Sequence, residues 1–293
     1  MTNNSAALAE ETTTAHSPLR EFLTRFYGSS SAMIGLCMLV VLVLCAVFAP
    51  VLAPYDPNSS NLPNALKPPG AGHLLGTDEL GRDILSRLLY GARISLLVGV
   101  EAVALALVCG VILGSVAGFY GRKIDTAIMS VMDIMLSFPS ILLAIAFMTV
   151  LGRGLDKAVI AIGIVSIPHY ARIVRGSVLS VKENVYVMAA RSIGNGDGRL
   201  IFVHILPNVL APIIVRATIG VSVAILEAAA LGFLGLGVEP PTAEWGTMLG
   251  SGRQTIFNAP HIVTFPGVAI TITVMAFNLL GDGLRDVLDP RLK

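Results

Sequence analysis

Residues 32–53 and 262–281 carry no charged side chain. Each run is long enough to cross the hydrocarbon core of a bilayer, which takes about 20 helical residues. Within lipid every backbone N–H and C=O must be satisfied locally. Continuous apolar runs of this length therefore fold as helices and not as the alternating strands of a barrel.

Between these two runs the pattern repeats. A second run extends from Ile94 to about Tyr120 with Glu101 inside it, and a third covers 126–151 with Asp133 inside. A fourth begins near Ala158, contains Pro168 and loses its apolar character at Arg172. A fifth runs from Ile205 to about Gly237 and carries Arg216 and Glu227. The expected fold is an all-α integral membrane protein of six transmembrane helices. Charged residues make up 13% of the 293, against about 25% in a soluble domain. A net charge of +1 provides no field for nucleic acid. Cys37, Cys45 and Cys109 lie in apolar runs without ligand spacing and act as small hydrophobes. The first 17 residues are rich in Thr, Asn, Ala and Ser, and their composition predicts a disordered tail.

Six spans place both termini on one side. Of the 20 Lys and Arg residues, twelve fall in segments sharing that side, seven in the opposite loops, and Arg216 lies within a span. This bias predicts cytoplasmic termini, a cytoplasmic loop at 182–204 and an extracytoplasmic segment before Ile94. The expected organisation is a tail and entry helix at 1–31, a first span with its external segment at 32–93, and a five-helix core at 94–293.

Charges within spans cost about 2.5–3.5 kcal/mol each at the bilayer centre. They must pair, face a water-filled cavity, or snorkel to the interface. Asp133 and Arg216 lie at similar depth, each about 15 Å in from the same side. The expectation is that they either pair or jointly face a water-filled path through the inner half of the bundle, with Glu227 farther along it. His169, beside Pro168, reads as a hydrogen-bonded structural histidine. The second span also places Ala102, Ala106, Gly110, Gly114 and Gly118 at four-residue spacing. Such a stripe lets another helix approach closely, either inside the bundle or at a subunit interface.

The loop at 182–204 is too polar to cross the membrane and too patterned to be a plain linker. Tyr186, Ala189, Ala190 and Ile193 recur at i, i+3, i+4 and i+7 and predict one apolar face of a short helix. Gly194 is placed to end that helix in a left-handed conformation, and Gly-Asn-Gly-Asp-Gly follows as a turn. Leu206-Pro207 then restarts the chain, with proline near the first turn of the next helix. Two uses fit such an element: a rigid helix gripped by another protein, or an amphipathic helix lying on the membrane surface.

These residues resemble the coupling loop of bacterial ABC importer permeases, Glu-Ala-Ala, three residues, Gly, nine residues, Ile, one residue, Leu-Pro. Ala189, Ala190, Gly194, Leu206 and Pro207 match at the right spacing, while Met188 stands for the Glu and His204 for the Ile. Leu75–Gly99, Phe233–Gly246 and Asn278–Arg291 are also similar to segments of peptide-importer permeases. The similarity covers about residues 20–293 and is closest to the second permease subunit of dipeptide and oligopeptide importers, with glutathione and nickel importers related. The resemblance implies a type I ABC importer (MetI-like) permease fold with a cytoplasmic coupling helix. It also implies a homologous second permease, two cytoplasmic ATPases that bind ATP and Mg²⁺, and an extracytoplasmic solute-binding protein.

For contact with that binding protein the candidates are Thr77, Asp78, Arg82, Asp83 and Trp245. Thr77 and Asp78 read equally as caps of a helix beginning near Glu79, and Trp245 as an anchor at the membrane interface. No Gly-x-x-x-x-Gly-Lys-Ser/Thr loop, His-Glu-x-x-His or Gly-x-Ser-x-Gly occurs, so no catalytic, metal or cofactor site is expected in this chain. An ion-driven carrier is the rival reading, but it has no use for a docking helix.

Overall fold

The computed structural model describes residues 18–288. The expected tail at 1–17 and the last five residues lie outside it. An amphipathic helix α1 (Pro18–Gly28) leads into α2 (Ser30–Val47), whose first turn is capped by the Ser29 hydroxyl. A short turn α3 (Ala49–Leu52) and an irregular segment follow, and then the long helix α4 (Ile84–Tyr120). Next come α5 (Arg122–Leu136), α6 (Ser140–Leu151) and α7 (Leu155–Val181). The α7–α10 connection holds α8 (Val185–Ser192), a single turn α9 (Asp197–Arg199), a π-helical turn at Leu200–Ile205 and a 3-10 turn at Leu206–Val209. The chain continues through α10 (Leu210–Phe233), α11 (Trp245–Gly252) and α12 (His261–Leu288).

Five of these helical units are long and apolar enough to cross a membrane. The pair α5–α6 supplies a sixth crossing only if its two helices are taken together, because they meet at 95°. The continuous third span expected at 126–151 is therefore broken. Pro139 explains the break: proline drives its predecessor Phe138 out of the helical region, and its missing N–H interrupts the ladder.

The second span is longer than its apolar stretch suggests. It begins at Ile84, where the Asp83 side chain accepts from the Ser86 N–H, and not near Glu79. The fifth also departs from expectation. Regular α-helix starts at Leu210, because the proline of Leu206-Pro207 cannot donate and the chain enters through π and 3-10 turns.

The alanine–glycine stripe of α4 packs against α7 inside the chain. Ala102 and Ala106 are buried, and a Cβ at Gly114 would collide with the Ala171 carbonyl. Side by side, these backbones form the spine of the bundle. Around it Val98, Ile162, Val165, Ile225 and Leu231 make the main core, and α2 lies against α12 through Gly35 and Leu280.

Candidate functional site

The α7–α10 connection is fixed at both ends. Lys182 Nζ donates to the Gly118 carbonyl at 2.9 Å, tying the end of α7 to the end of α4. On α8, Val187 and Ala190 turn inward and pack with Phe119, Val174, Val178, Leu200 and Ile205. Arg191 lies 5.2 Å from the centre of the Phe119 ring. The helix ends as a Schellman motif: the Gly194 N–H donates to Arg191 O at 3.0 Å and the Asn195 N–H to Ala190 O at 3.3 Å. Gly194 has φ 87°, where an L side chain is strained, so the expected left-handed stop is present.

The other side of α8 is bare. Val185, Met188, Ala189 and Ile193 are exposed, Ile193 to 82%, and Tyr186 is partly so while its hydroxyl reaches His204 O at 3.3 Å. The single face expected from Tyr186, Ala189, Ala190 and Ile193 is thus divided. Ala190 belongs to the anchoring side and Ala189 to the free side. Alanines at adjacent positions stand 100° apart on a helix, and the inward side is set by Val187 three residues earlier. Leu206 packs against the anchoring cluster, and Pro207 sits in the 3-10 turn that follows.

Within the bundle, Asp133 does not pair with Arg216. It forms an ion pair with Arg172 at 2.7 Å, because α5 lies against α7 and meets an arginine there first. A second pair, Arg175–Asp125, is bidentate at 2.5 and 2.6 Å and joins the same two helices. Arg216 instead lies over the Tyr170 ring, 5.9 Å from its centre. Arg216 and Glu227 line one small cavity between α7 and α10, so the structure brings these two candidates together and separates Asp133 from them. His169 lines the same cavity. Glu101 points away from the bundle and is exposed on the isolated chain.

The segment before α4 is held by buried charges. Asp83 accepts from the Ser86 N–H and hydroxyl at 2.8 and 2.7 Å and contacts His73 Nδ1 at 2.9 Å. Asp78 receives the Leu80 and Arg82 N–H groups and Arg82 Nε at 2.7–2.9 Å. Arg87 reaches back to Pro57 O at 2.9 Å, and the Thr77 hydroxyl donates to Asn64 O. Thr77, Asp78, Arg82 and Asp83 are all buried. They brace the segment from within and present little surface of their own. What faces outward is an open recess of about 610 Å³ lined by Tyr55, Asn61, Lys67 and His73 among others.

Trp245 is 1% exposed, and its Nε1–H donates to Leu88 O at 3.0 Å. Buried in this way, its indole pins α11 to α4. Next to it Glu244 caps α11 through the Gly246 and Thr247 N–H groups. Burial pushes its carboxyl above the ordinary range, against the amide hydrogen bonds that pull it down.

Tyr170, Arg172 and Val187 carry weight that the sequence reading missed. Tyr170 sits near the end of an apolar run, with no periodic signal to single it out. Arg172 looked like the end of a span. Val187 fell between the two periodic positions that drew attention.

The pattern described as binding-protein-dependent transport system inner membrane component matches residues 110–293, and that described as N-terminal TM domain of oligopeptide transport permease C matches 17–69. The chain is 52% identical over 284 residues to a dipeptide transport system permease protein of Alkalihalophilus pseudofirmus, covering 97% of this chain and 93% of that protein. It is 52% identical to a di/tripeptide transport system permease protein of Pseudomonas aeruginosa, covering 94% and 93%. To the dipeptide transport system permease protein of Escherichia coli it is 50% identical, covering 94% of each. Among solved structures, the inward-facing MetNI methionine ABC transporter shares the fold. Its TM-score is 0.56 at 21% identity, covering 69% of this chain and 96% of that one.

Proposed function

This chain belongs to the binding-protein-dependent transport system inner membrane component family, and on that premise we propose that it is the second permease of a dipeptide or short-oligopeptide importer. With a homologous permease it forms the translocation path. It binds no nucleotide itself; ATP and Mg²⁺ belong to two ATPase subunits seated on the α7–α10 connection.

One observation carries the reading: α8 is locked to α4, α7 and α10 by Val187 and Ala190 while it presents Val185, Met188, Ala189 and Ile193 outward. A helix buried on one side and apolar on the other is a rigid coupling between the bundle and a partner's groove. Lateral force on it moves the ends of α4 and α7 together. The importer then alternates between inward- and outward-open arrangements as the ATPases change which one is more stable.

The surplus of Lys and Arg on the side of the termini supports placing this loop in the cytoplasm. The opposite recess near Tyr55, Asn61 and Lys67 then faces the extracytoplasmic binding protein. Reconstituted with a second permease, two ATPases and the binding protein, the complex should accumulate radiolabelled dialanine in proteoliposomes only when ATP is supplied. A complete complex that hydrolyses ATP and accumulates none would remove the peptide reading.

A further inference from the structure

We infer that Arg216, Tyr170 and Glu227 form a two-point subsite inside the bundle for a zwitterionic peptide, Arg216 taking the carboxylate and Glu227 the ammonium. The inference rests on the peptide reading above.

Three buried polar atoms without a hydrogen-bond partner belong to these residues: Tyr170 Oη, Arg216 Nε and Glu227 Oε2. All three residues line the same cavity between α7 and α10. Tyr170 is 2% exposed, so water outside the bundle does not serve its hydroxyl. Charges that serve only to hold helices together satisfy one another here, as Asp125 with Arg175 and Asp133 with Arg172 show. Arg216 and Glu227 do not. Eleven residues apart, they return to nearly the same face of α10 after three turns. They share a cavity with no ion pair between them.

Opposite charges kept apart, with a hydroxyl that both donates and accepts between them, match a molecule with an anionic and a cationic end and a peptide group in the middle. Ser140 of α6 lines the same cavity, and Glu227 Oε2 is left for the ligand. The space is about 20 Å³, room for a single water, so this is the closed form of the subsite. A dipeptide enters only when α7 and α10 part, which couples occupancy to the alternating motion.

The test is the number of ATP molecules hydrolysed per radiolabelled dialanine delivered by the reconstituted five-part complex, with binding protein saturating. Losing a charge-assisted contact should raise that ratio about tenfold in Arg216→Gln and in Glu227→Gln, and losing a neutral one about threefold in Tyr170→Phe. Arg216→Lys and Glu227→Asp should recover most of the wild-type ratio. A purely structural role lowers hydrolysis and uptake together and leaves the ratio unchanged; that result overturns the subsite. An increase in only one of the two charge variants overturns the two-point claim. Tyr170→Phe removes one oxygen and preserves the packing, so an unchanged ratio there is decisive even if a charge variant fails to assemble. Hydrolysis without any dialanine uptake by the wild-type complex would instead remove the peptide premise, and the subsite with it.

Discussion

The two largest interruptions of the apolar pattern, the segment before α4 and the loop between α7 and α10, solve opposite problems. The first buries its charges: Asp78, Arg82, Asp83 and Arg87 satisfy one another and the backbone around them. The second exposes its apolar groups: Val185, Met188 and Ile193 stand outside with nothing against them. A segment that satisfies its own polar groups is complete on its own. A helix that leaves an apolar stripe bare is completed by something else. The difference separates self-supporting architecture from a surface built for contact, and substitutions on each side should behave accordingly.

The largest effect should come from Asp83→Ala. Removing one member of a buried polar network leaves the others unsatisfied, and a cost of about 3 kcal/mol is expected. Thermal unfolding of the purified subunit in detergent measures it. A loss within about 0.5 kcal/mol, as for an ordinary surface change, would break the contrast. Next, Ala189→Trp should abolish co-purification of the ATPase subunits while thermal stability stays near wild type, whereas Ala190→Trp should lower stability, because that position is filled. If the adjacent pair behaved alike, α8 would not have two distinct sides.

Gly194→Val comes third. No neighbour lies within reach of a new Cβ there, so the whole penalty is conformational, about 1–2 kcal/mol for a left-handed L residue. Membrane insertion should persist while uptake per ATP falls severalfold in the reconstituted importer; unchanged uptake would count against the coupling role. The smallest effect is expected for Trp245→Phe. It forfeits the hydrogen bond to Leu88 O and should cost about 1 kcal/mol in the same unfolding assay. Undiminished stability would show that the pin is ornamental.

Much of this architecture is legible in the residues. Six crossings follow from two charge-free runs and four with few charges, because hydrocarbon excludes charge so strongly. The stop at Gly194 and the restart at Leu206-Pro207 follow because φ 87° and a missing N–H are properties of single residues. What a periodicity cannot supply is the identity of the neighbour. α8 is apolar nearly all round, so Val187 and Ala190 could be told from Ala189 only by seeing what they touch. Trp245 looked like an interfacial anchor because an indole in lipid and an indole in protein have the same neighbours in sequence. Asp133 and Arg216 matched in depth, but depth fixes one coordinate of three, and Arg172 was nearer. The bend between α5 and α6 was written in Pro139, yet a single proline is also compatible with a continuous helix, as Pro168 and Pro266 demonstrate inside α7 and α12.

The length of α4 has a further consequence. Its 37 residues make a rod of about 55 Å, nearly twice the hydrocarbon thickness. One tip is clamped by Asp83 and its surroundings, and the other is joined to the α7–α10 loop through the Gly118 carbonyl and Phe119. A strut fastened at both tips and gripped along its middle by α7 can pivot but cannot stretch. Displacement at either tip therefore reappears, reversed in direction, at the far one, so the two ends of the bundle can be coupled by leverage alone.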